Sequence, residues 1–234
     1  MRLDVRLGVG TTWRHEIPQW LLIAGMFILT ALSWPSAPDR IPVHWNAAWQ
    51  VDRYGGKVEG LLLLPAMTLG LYLLLLLAPR IDPGRANYQR FAGVYNAFRL
   101  TIVTFLAVLH GAVLLSLRGY AIDLSTVMPL AIGALFVLIG NWMGKIRPNW
   151  FMGIRTPWTL SSKVAWVKTH RLGGWFFVGL GLACMASGVL HAPWLGSVII
   201  GLLLVGVVVL SAYSYLVWRK DPDKVPPAGT LPAE

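Results

Sequence analysis

Six stretches of this chain run for 18 to 27 residues without a formally charged side chain. They cover residues 17–34, 60–78, 100–117, 124–144, 172–190 and 192–218. A bilayer core about 30 Å thick is crossed by roughly 20 residues of helix, and backbone that faces lipid must satisfy its own hydrogen bonds. None of the stretches alternates polar with apolar residues as membrane strands do. The pattern predicts an all-α membrane protein with six transmembrane helices.

The composition agrees with that interpretation. Hydrophobic residues make up 56% of the 234 residues and charged residues only 13%, whereas about 25% of a soluble domain is charged. The one cysteine, Cys184, lies inside an apolar stretch, which excludes a disulfide scaffold. The same proportions exclude a disordered chain and disfavour a soluble enzyme.

Lys and Arg are distributed unevenly among the segments that join the apolar stretches. The N-terminal segment, the second and fourth loops and the tail carry 15 of them, against 4 in the first, third and fifth loops. Because basic segments stay in the cytoplasm, both termini are predicted to be cytoplasmic (N-in/C-in). The predicted regions are a cytoplasmic N-terminus (1–16), a membrane region with helices 1–3 (17–118), a second with helices 4–6 (119–218) and a disordered tail (219–234).

The outer loop, residues 35–59, is too long to be a simple turn. Pro38, Pro42 and the Gly55–Gly56 pair predict turns and extended pieces there. Its tryptophans allow two interpretations: a segment that lies on the membrane surface, or a binding surface for an external ligand.

The inner loop, residues 145–171, is equally long, and Pro148 and Pro157 break any continuous helix in it. Gly153 favours a turn between the two prolines. Basic residues beside tryptophans suit a segment that lies on an anionic inner leaflet, and the alternative is a cytoplasmic docking site.

Polar residues inside the predicted helices have simpler interpretations. Arg99 is expected to snorkel to the headgroups, and His110 to donate, as a neutral imidazole, to a neighbouring helix. Asn141 is expected to bond across helices or to the inner loop. Small residues at four-residue spacing in the fifth stretch predict a close helix contact: Gly179, Ala183 and Ser187.

Three strings resemble a known family. GNWMGKIRPNWFMGIRTPWTLSSKVAWVKTHRLGG resembles the signature of the SdpI family of bacterial membrane proteins. IPVHWNAAWQVDRYGGK resembles a domain of unknown function that often precedes that signature, and IDPGRANYQRF at 81–91 also fits. The resemblance covers about Arg40 to Gly174. It implies a multi-pass protein of the bacterial cytoplasmic membrane, with immunity to a secreted antimicrobial toxin and, as a second role, signal transduction that holds a cytoplasmic repressor at the membrane.

Two sets of site residues follow from these loops and from the resemblance. The outer set is predicted to contact the toxin or to shape that face: His44, Trp45, Asn46, Asp52 and Lys57. The inner motif is predicted to be a structural lock or a partner site: Asn141, Asn149, Gly153, Arg155, Thr156, Pro157, Trp158, Thr159, Thr169, His170 and Arg171. Within it, the guanidinium of Arg155 is expected to hold backbone carbonyls or, equally, to bind a lipid phosphate.

The chain departs from the family pattern at two places. A glycine is usual where this chain has Trp49, and a turn that needs positive φ disfavours tryptophan. Acidic residues are common at the positions of Lys163 and Val164, so a docking surface that depends on negative charge there is reversed. The first departure concerns which toxin is recognised. The second concerns which signalling partner binds in the cytoplasm.

Two other functions are compatible with the sequence. A peptide or amphiphile transporter needs a polar path, for which His110 and Asn141 are available. A metal-dependent hydrolase needs His44, His110 and His191 to converge. The sequence contains no HExxH or GxSxG motif, so it predicts neither an enzyme nor a cofactor. The predicted partners are membrane lipid, a toxin peptide and a repressor protein, without direct binding to nucleic acid.

Overall fold

The computed structural model describes residues 6–8 and 11–225. The α-helices are α1 (Ile17–Ser33), α2 (Leu63–Ile81), α3 (Ala92–Leu117), α4 (Leu124–Met143), α5 (Pro157–Leu160), α6 (Lys163–Leu190) and α7 (Pro193–Arg219). The strands are β1 (Arg6–Gly8), β2 (Thr11–Thr12), β3 (Ile41–Trp45) and β4 (Val51–Gly55). A π-helical turn, Val58–Leu62, leads into α2, and 3-10 turns at Trp13–His15 and Arg85–Phe91 precede α1 and α3.

Within the described residues, five helical segments are long and apolar enough to cross a membrane: Val58–Ile81, Arg85–Leu117, Leu124–Met143, Lys163–Leu190 and Trp194–Arg219. They confirm the prediction of a mostly helical, multi-pass membrane protein. The remaining predicted span corresponds to α1, which is apolar but has only 17 residues.

Helices α4 and α6 pack closely along their length as an antiparallel pair. A Cβ atom added to Gly140 would lie 2.6 Å from the carbonyl oxygen of Gly174, and one added to Gly181 would lie 2.6 Å from that of Gly133. Glycines seven residues apart on each helix therefore let the two backbones touch. The predicted stripe of small residues is wrong at Gly179, whose Cβ position has no atom within 4 Å.

Buried apolar clusters hold the helices together, and those at the two ends of the helix bundle combine residues from the first and second halves of the chain. Helices α1, α2 and α3 surround Ile23, Tyr72 and Val103, each at most 2% exposed. At the end that carries the inner loop, the cluster contains Tyr88, Phe91, Tyr95, Ile146, Met152 and Trp166. At the end that carries the outer loop, it contains Ile41, Leu61, Ala112, Val113, Leu114, Leu124 and Met128. The two long loops are therefore built into the apolar core.

The all-α prediction is corrected in the outer loop. Strands β3 and β4 form an antiparallel hairpin in which Ile41 pairs with Gly55 and Trp45 with Val51. The extended pieces were predictable from the prolines and glycines, but the register shifts on both sides of His44, so regular alternation does not mark the strands. Strands β1 and β2 form a second, shorter pair.

The disordered tail predicted for residues 219–234 is corrected in its first part. Asp221 is 4% exposed and accepts a hydrogen bond from the hydroxyl of Ser162. The backbone N–H of Val225 donates to the carbonyl oxygen of Ser161 at 2.9 Å. The rest of that prediction, residues 226–234, lies outside the described residues, as do residues 1–5, 9 and 10 of the predicted N-terminal region.

Candidate functional site

The hairpin formed by β3 and β4, here called the outer hairpin, brings together three of the predicted outer residues. His44 Nδ1 lies 2.6 Å from Asp52 Oδ1 across the two strands, and both side chains are exposed. Asn46 closes the connecting turn, because its Oδ1 accepts the backbone N–H groups of Ala48 and Gln50 at 2.9 and 3.1 Å. The exposed polar pair thus sits on a turn that is held by its own side chain.

Trp49, at the tip of the outer hairpin, has a φ of 61°. This is the left-handed conformation in which a glycine is ordinarily favoured, and it costs a tryptophan about 1–2 kcal/mol. The indole offsets that strain by packing into two apolar clusters and by donating from Nε1 to Ser187 Oγ at 3.1 Å. The carbonyl of Ala47 also lies against Gly196 of α7. The tip is therefore fastened to α6 and α7.

Lys57 and Trp45, the other predicted outer residues, shape the base of the outer hairpin. The ammonium of Lys57 donates to the carbonyl oxygen of Trp34 at 3.2 Å, which satisfies an acceptor at the end of α1. The indole of Trp45 packs against the outer apolar cluster. An ion pair between Arg53 and Glu59, 2.6 Å apart, ties β4 to the turn before α2.

A second exposed histidine–carboxylate pair lies at the same end of the bundle. His191 Nε2 is 3.4 Å from Asp123 Oδ2, and Thr126 Oγ1 lies 3.0 Å from the same nitrogen. Hydrogen bonds from Ser125 and Thr126 lower the pKa of Asp123 to about 2. Among residues 6–8 and 11–225, no three His, Cys, Asp or Glu side chains gather as a metal site. The three histidines of the hydrolase alternative thus bond to separate partners, His110 to Thr30.

Asn149 organises the first part of the inner loop. Its side chain is 1% exposed. Oδ1 accepts from the N–H groups of Phe151 and Met152, while Nδ2 donates to the carbonyls of Arg147 and Met152 at 2.8 and 3.1 Å. An amide suits this position because it carries two N–H donors and a carbonyl acceptor in one planar group.

Gly153 and His170 join the inner loop to α6. Gly153 has a φ of 105°, and any Cβ there would collide with the imidazole of His170. Nε2 of His170 accepts from the N–H of Ile154 at 3.0 Å, and Nδ1 lies 2.8 Å from the carbonyl of Trp166. These bonds select the neutral imidazole with the proton on Nδ1. The ring stacks on Trp166, whose Nε1 donates to Ile146.

The GIRTPWT segment ends in a capped turn that reaches α7. The hydroxyl of Thr156 accepts from the N–H of Thr159, and the hydroxyl of Thr159 accepts from the N–H of Thr156, which together form a capping box at α5. Thr156 Oγ1 lies 3.0 Å from Ser214 Oγ, and Trp158 contacts Tyr215 edge to face. Pro157 occupies the first turn of α5, where its missing N–H is no loss.

The remaining inner-motif residues agree with their predicted roles to different degrees. Arg155 donates to the carbonyl of Trp150, the type of contact that was expected. Asn141 is exposed on α4 and, in the described part of the chain, bonds neither to another helix nor to the inner loop, so that prediction is wrong. Thr169 is fully buried with no hydrogen-bond partner for Oγ1 among the described residues. Arg171 is exposed on α6.

Asp82 is the inner-side residue that the sequence interpretation missed. It is 1% exposed and accepts from Tyr88 Oη at 2.7 Å, from the N–H of Trp150 at 2.9 Å and from the N–H of Gly84. Beside it, Asn87 Nδ2 donates to the carbonyl of Pro148 at 2.8 Å. The segment at 81–91 is therefore the platform on which the inner loop rests. The only sequence signal was the string IDPGRANYQRF, which carries an acidic residue directly after an apolar helix.

Replacing Asp82 by Ala should expose the inner loop to protease. Each buried donor left without an acceptor costs about 1–3 kcal/mol, so tryptic cleavage after Lys145 and Arg155, both exposed, should speed up roughly tenfold or more. The measurement is the rate of limited trypsin digestion of purified protein in nanodiscs. Asp223→Ala, which removes an exposed carboxylate from the tail, is the control. Equal cleavage rates in the two variants would contradict the platform role of Asp82.

Buried polar side chains meet between the helices of the first half. Glu16 and Arg99, 1% and 2% exposed, form an ion pair, and Tyr72 Oη donates to Glu16 Oε2 at 2.9 Å. The expectation that Arg99 snorkels is therefore wrong, because a carboxylate is available to it inside the bundle. Thr30 gives its one hydroxyl proton to the carbonyl of Leu61, so Nε2 of His110, 3.0 Å away, donates to Thr30. This contact with α1 agrees with the expectation that His110 bonds to a neighbouring helix.

The comparisons with known proteins agree with the resemblance in sequence. Residues 145–214 match the SdpI/YfhL protein family, and residues 21–69 match a domain of unknown function, DUF1648. The family match contains the inner loop with α5 and α6, and the DUF1648 match contains the outer hairpin. Residues 145–214 are therefore an SdpI/YfhL family region, and a DUF1648 domain precedes it in the chain. No curated protein and no solved structure matches the chain.

Proposed function

Because this multi-pass membrane protein contains an SdpI-family region, we propose that it is an immunity and sensing protein of the bacterial cytoplasmic membrane. It binds a secreted antimicrobial peptide at the outer hairpin and relays the bound state to the inner loop, where a cytoplasmic repressor docks. One observation carries this proposal: helix α6 holds the tip of the outer hairpin through Ser187 and holds the inner loop through His170.

Helix α6 has the mechanical properties that such a relay needs. Ser187 and His170 are 17 residues apart on one continuous helix, or about 26 Å at 1.5 Å per residue. Its glycine contacts with α4 join it to the neighbouring helix along most of that distance. A shift of the hairpin tip at Trp49 is thus passed on through a rigid element instead of being absorbed by side chains. Binding must favour one position of α6 over another for this to work.

The relay predicts that Trp49→Gly separates binding from response. Glycine relieves the strained φ but removes both the indole packing and the hydrogen bond to Ser187. The probe is the purified secreted toxin against which SdpI-family proteins give immunity, added to protein in nanodiscs. In the wild type, toxin should change the rate of trypsin cleavage in the inner loop about fivefold or more. In Trp49→Gly, toxin should still bind, and the cleavage rate should stay unchanged.

Trp194→Ala is the matched control, since Trp194 is exposed near the start of α7 and 65% accessible. It should bind toxin and respond as the wild type does. A toxin response in Trp49→Gly equal to that of the wild type would refute the relay through α6. Absence of toxin binding to the wild type would refute the proposed ligand.

The proposed orientation has six spans, with α1 as the first, and both termini in the cytoplasm. It predicts that, in a Cys184→Ala background, a cysteine at Gln50 is labelled in intact cells by a membrane-impermeant maleimide. A cysteine at Lys145 should be labelled only after the membrane is opened. Both positions are exposed in the structure, so accessibility to solvent does not explain a difference. The opposite labelling pattern would exchange the roles of the two loops.

The transporter alternative is less well supported by the geometry. Two buried polar pairs near α1, α2 and α3 offer groups for a polar path, namely Glu16 with Arg99 and Thr30 with His110. The apolar cluster of Ile23, Tyr72 and Val103 is packed between these helices as well. A conducting path needs polar groups throughout the bilayer, and this layer separates the two pairs.

A further inference from the structure

A groove of about 380 Å³ lies between the first turns of α6 and the end of α7, next to the inner loop. Lys168 lines it from α6, Tyr213 lines it from α7, and Lys220 lines it from the position directly after α7. The groove lies beside the contacts that hold the GIRTPWT segment, because Thr156 and Trp158 reach other residues of α7.

The charge of this groove is positive. The side-chain ammonium groups of Lys168 and Lys220 have no hydrogen-bond or ion-pair partner in the part of the chain that the structure describes. Asp221, the acidic residue of the lining, is 4% exposed and is occupied by bonds from Ser162 Oγ and from the N–H of Asp223. The nearby tail adds Lys224, whose ammonium donates to the carbonyls of Arg219 and Asp221. Two free ammonium groups therefore face the groove.

The walls of the groove are apolar. Val164 on α6 is 41% exposed and Leu216 on α7 is 52% exposed, and Val217 lines the groove beside them. A soluble anion gains nothing from such walls, whereas a phosphate that carries acyl chains places its charge on the lysines and its chains on the apolar side chains. We propose that this groove is a binding site for the headgroup of an anionic phospholipid.

The proposal is tested by the lipid that the purified protein retains. The protein is exchanged into mixed micelles that contain equal amounts of phosphatidylglycerol and phosphatidylcholine, and bound lipid is counted by native mass spectrometry. The wild type should retain phosphatidylglycerol in preference to phosphatidylcholine. The double variant Lys168→Gln, Lys220→Gln keeps part of each side-chain stem and should lower that preference roughly tenfold or more.

The matched control is Lys145→Gln, Lys163→Gln, which removes the same charge from exposed positions outside the groove. It should retain phosphatidylglycerol as the wild type does. An equal loss in both double variants would show diffuse attraction to the net charge and overturn the site. Unchanged retention of phosphatidylglycerol by the double variant Lys168→Gln, Lys220→Gln would also overturn the proposed site. Displacement of the lipid by millimolar inorganic phosphate alone would identify a phosphate site without lipid specificity.

Discussion

Replacing Arg99 by Met should destabilise the protein by about 3–5 kcal/mol, because it leaves the carboxylate of Glu16 buried without its counter-charge. Both side chains are at most 2% exposed, so water does not compensate for the loss. Tyr72 Oη would still donate to the carboxylate, but one neutral donor does not replace a guanidinium. The expected result is a strong loss of protein from the membrane fraction and a lower unfolding temperature in detergent.

The double variant Glu16→Gln, Arg99→Met distinguishes a broken ion pair from lost packing. It removes both charges and keeps an acceptor for Tyr72, so most of the lost stability should return. Arg90→Met, at an exposed position before α3, controls for the loss of one basic residue and should resemble the wild type. If the double variant is as unstable as Arg99→Met, the ion pair is not the reason for the effect.

Replacing Gly181 by Val should separate α4 from α6 and prevent stable folding. The first added carbon would lie 2.6 Å from the carbonyl oxygen of Gly133 and 2.8 Å from the backbone nitrogen of Val137. Backbone atoms of a packed helix cannot move aside as a flexible side chain does, so the cost should reach or exceed the roughly 1–3 kcal/mol typical of overpacked cores. The measurement is the unfolding temperature of purified protein, together with its amount in the membrane.

Gly179→Val provides a sharp control, because Gly179 lies two residues away on the same helix and its Cβ position is open. The same change in helix propensity then occurs without the collision. The control should fold to within about 1 kcal/mol of the wild type. Equal damage from both substitutions would refute the close approach of α4 and α6.

The sequence was sufficient to predict those structural features that depend on residues close to one another along the chain. Apolar stretches of about 20 residues predict helices because each span satisfies its own backbone. The expectation of a strained turn at Trp49 came from the family's usual glycine, and the φ of 61° confirms it. The ends of the helices also follow from local residues, as Ser162 at the start of α6 illustrates.

The sequence was insufficient where distant segments meet. Arg99 lies 83 residues from Glu16, and nothing local distinguishes an arginine that snorkels from one that finds a buried carboxylate. Asp82 meets Trp150 across 68 residues. The assignment of α6 as the helix that touches both loops likewise required the fold. The ligand-binding and partner roles of the two residue sets stay predictions that the experiments above address.

The bonds that complete the inner loop bear on the order in which this protein is made. Ser214 meets Thr156, Asp221 meets Ser162 and Val225 meets Ser161, so the loop depends on residues that leave the ribosome some 60 residues later. The loop therefore reaches its final conformation only after the last helix has been inserted. A nascent chain that is arrested before Ser214 would present an unfinished loop to the cytoplasm, and any partner that recognises the finished loop would bind only fully synthesised protein.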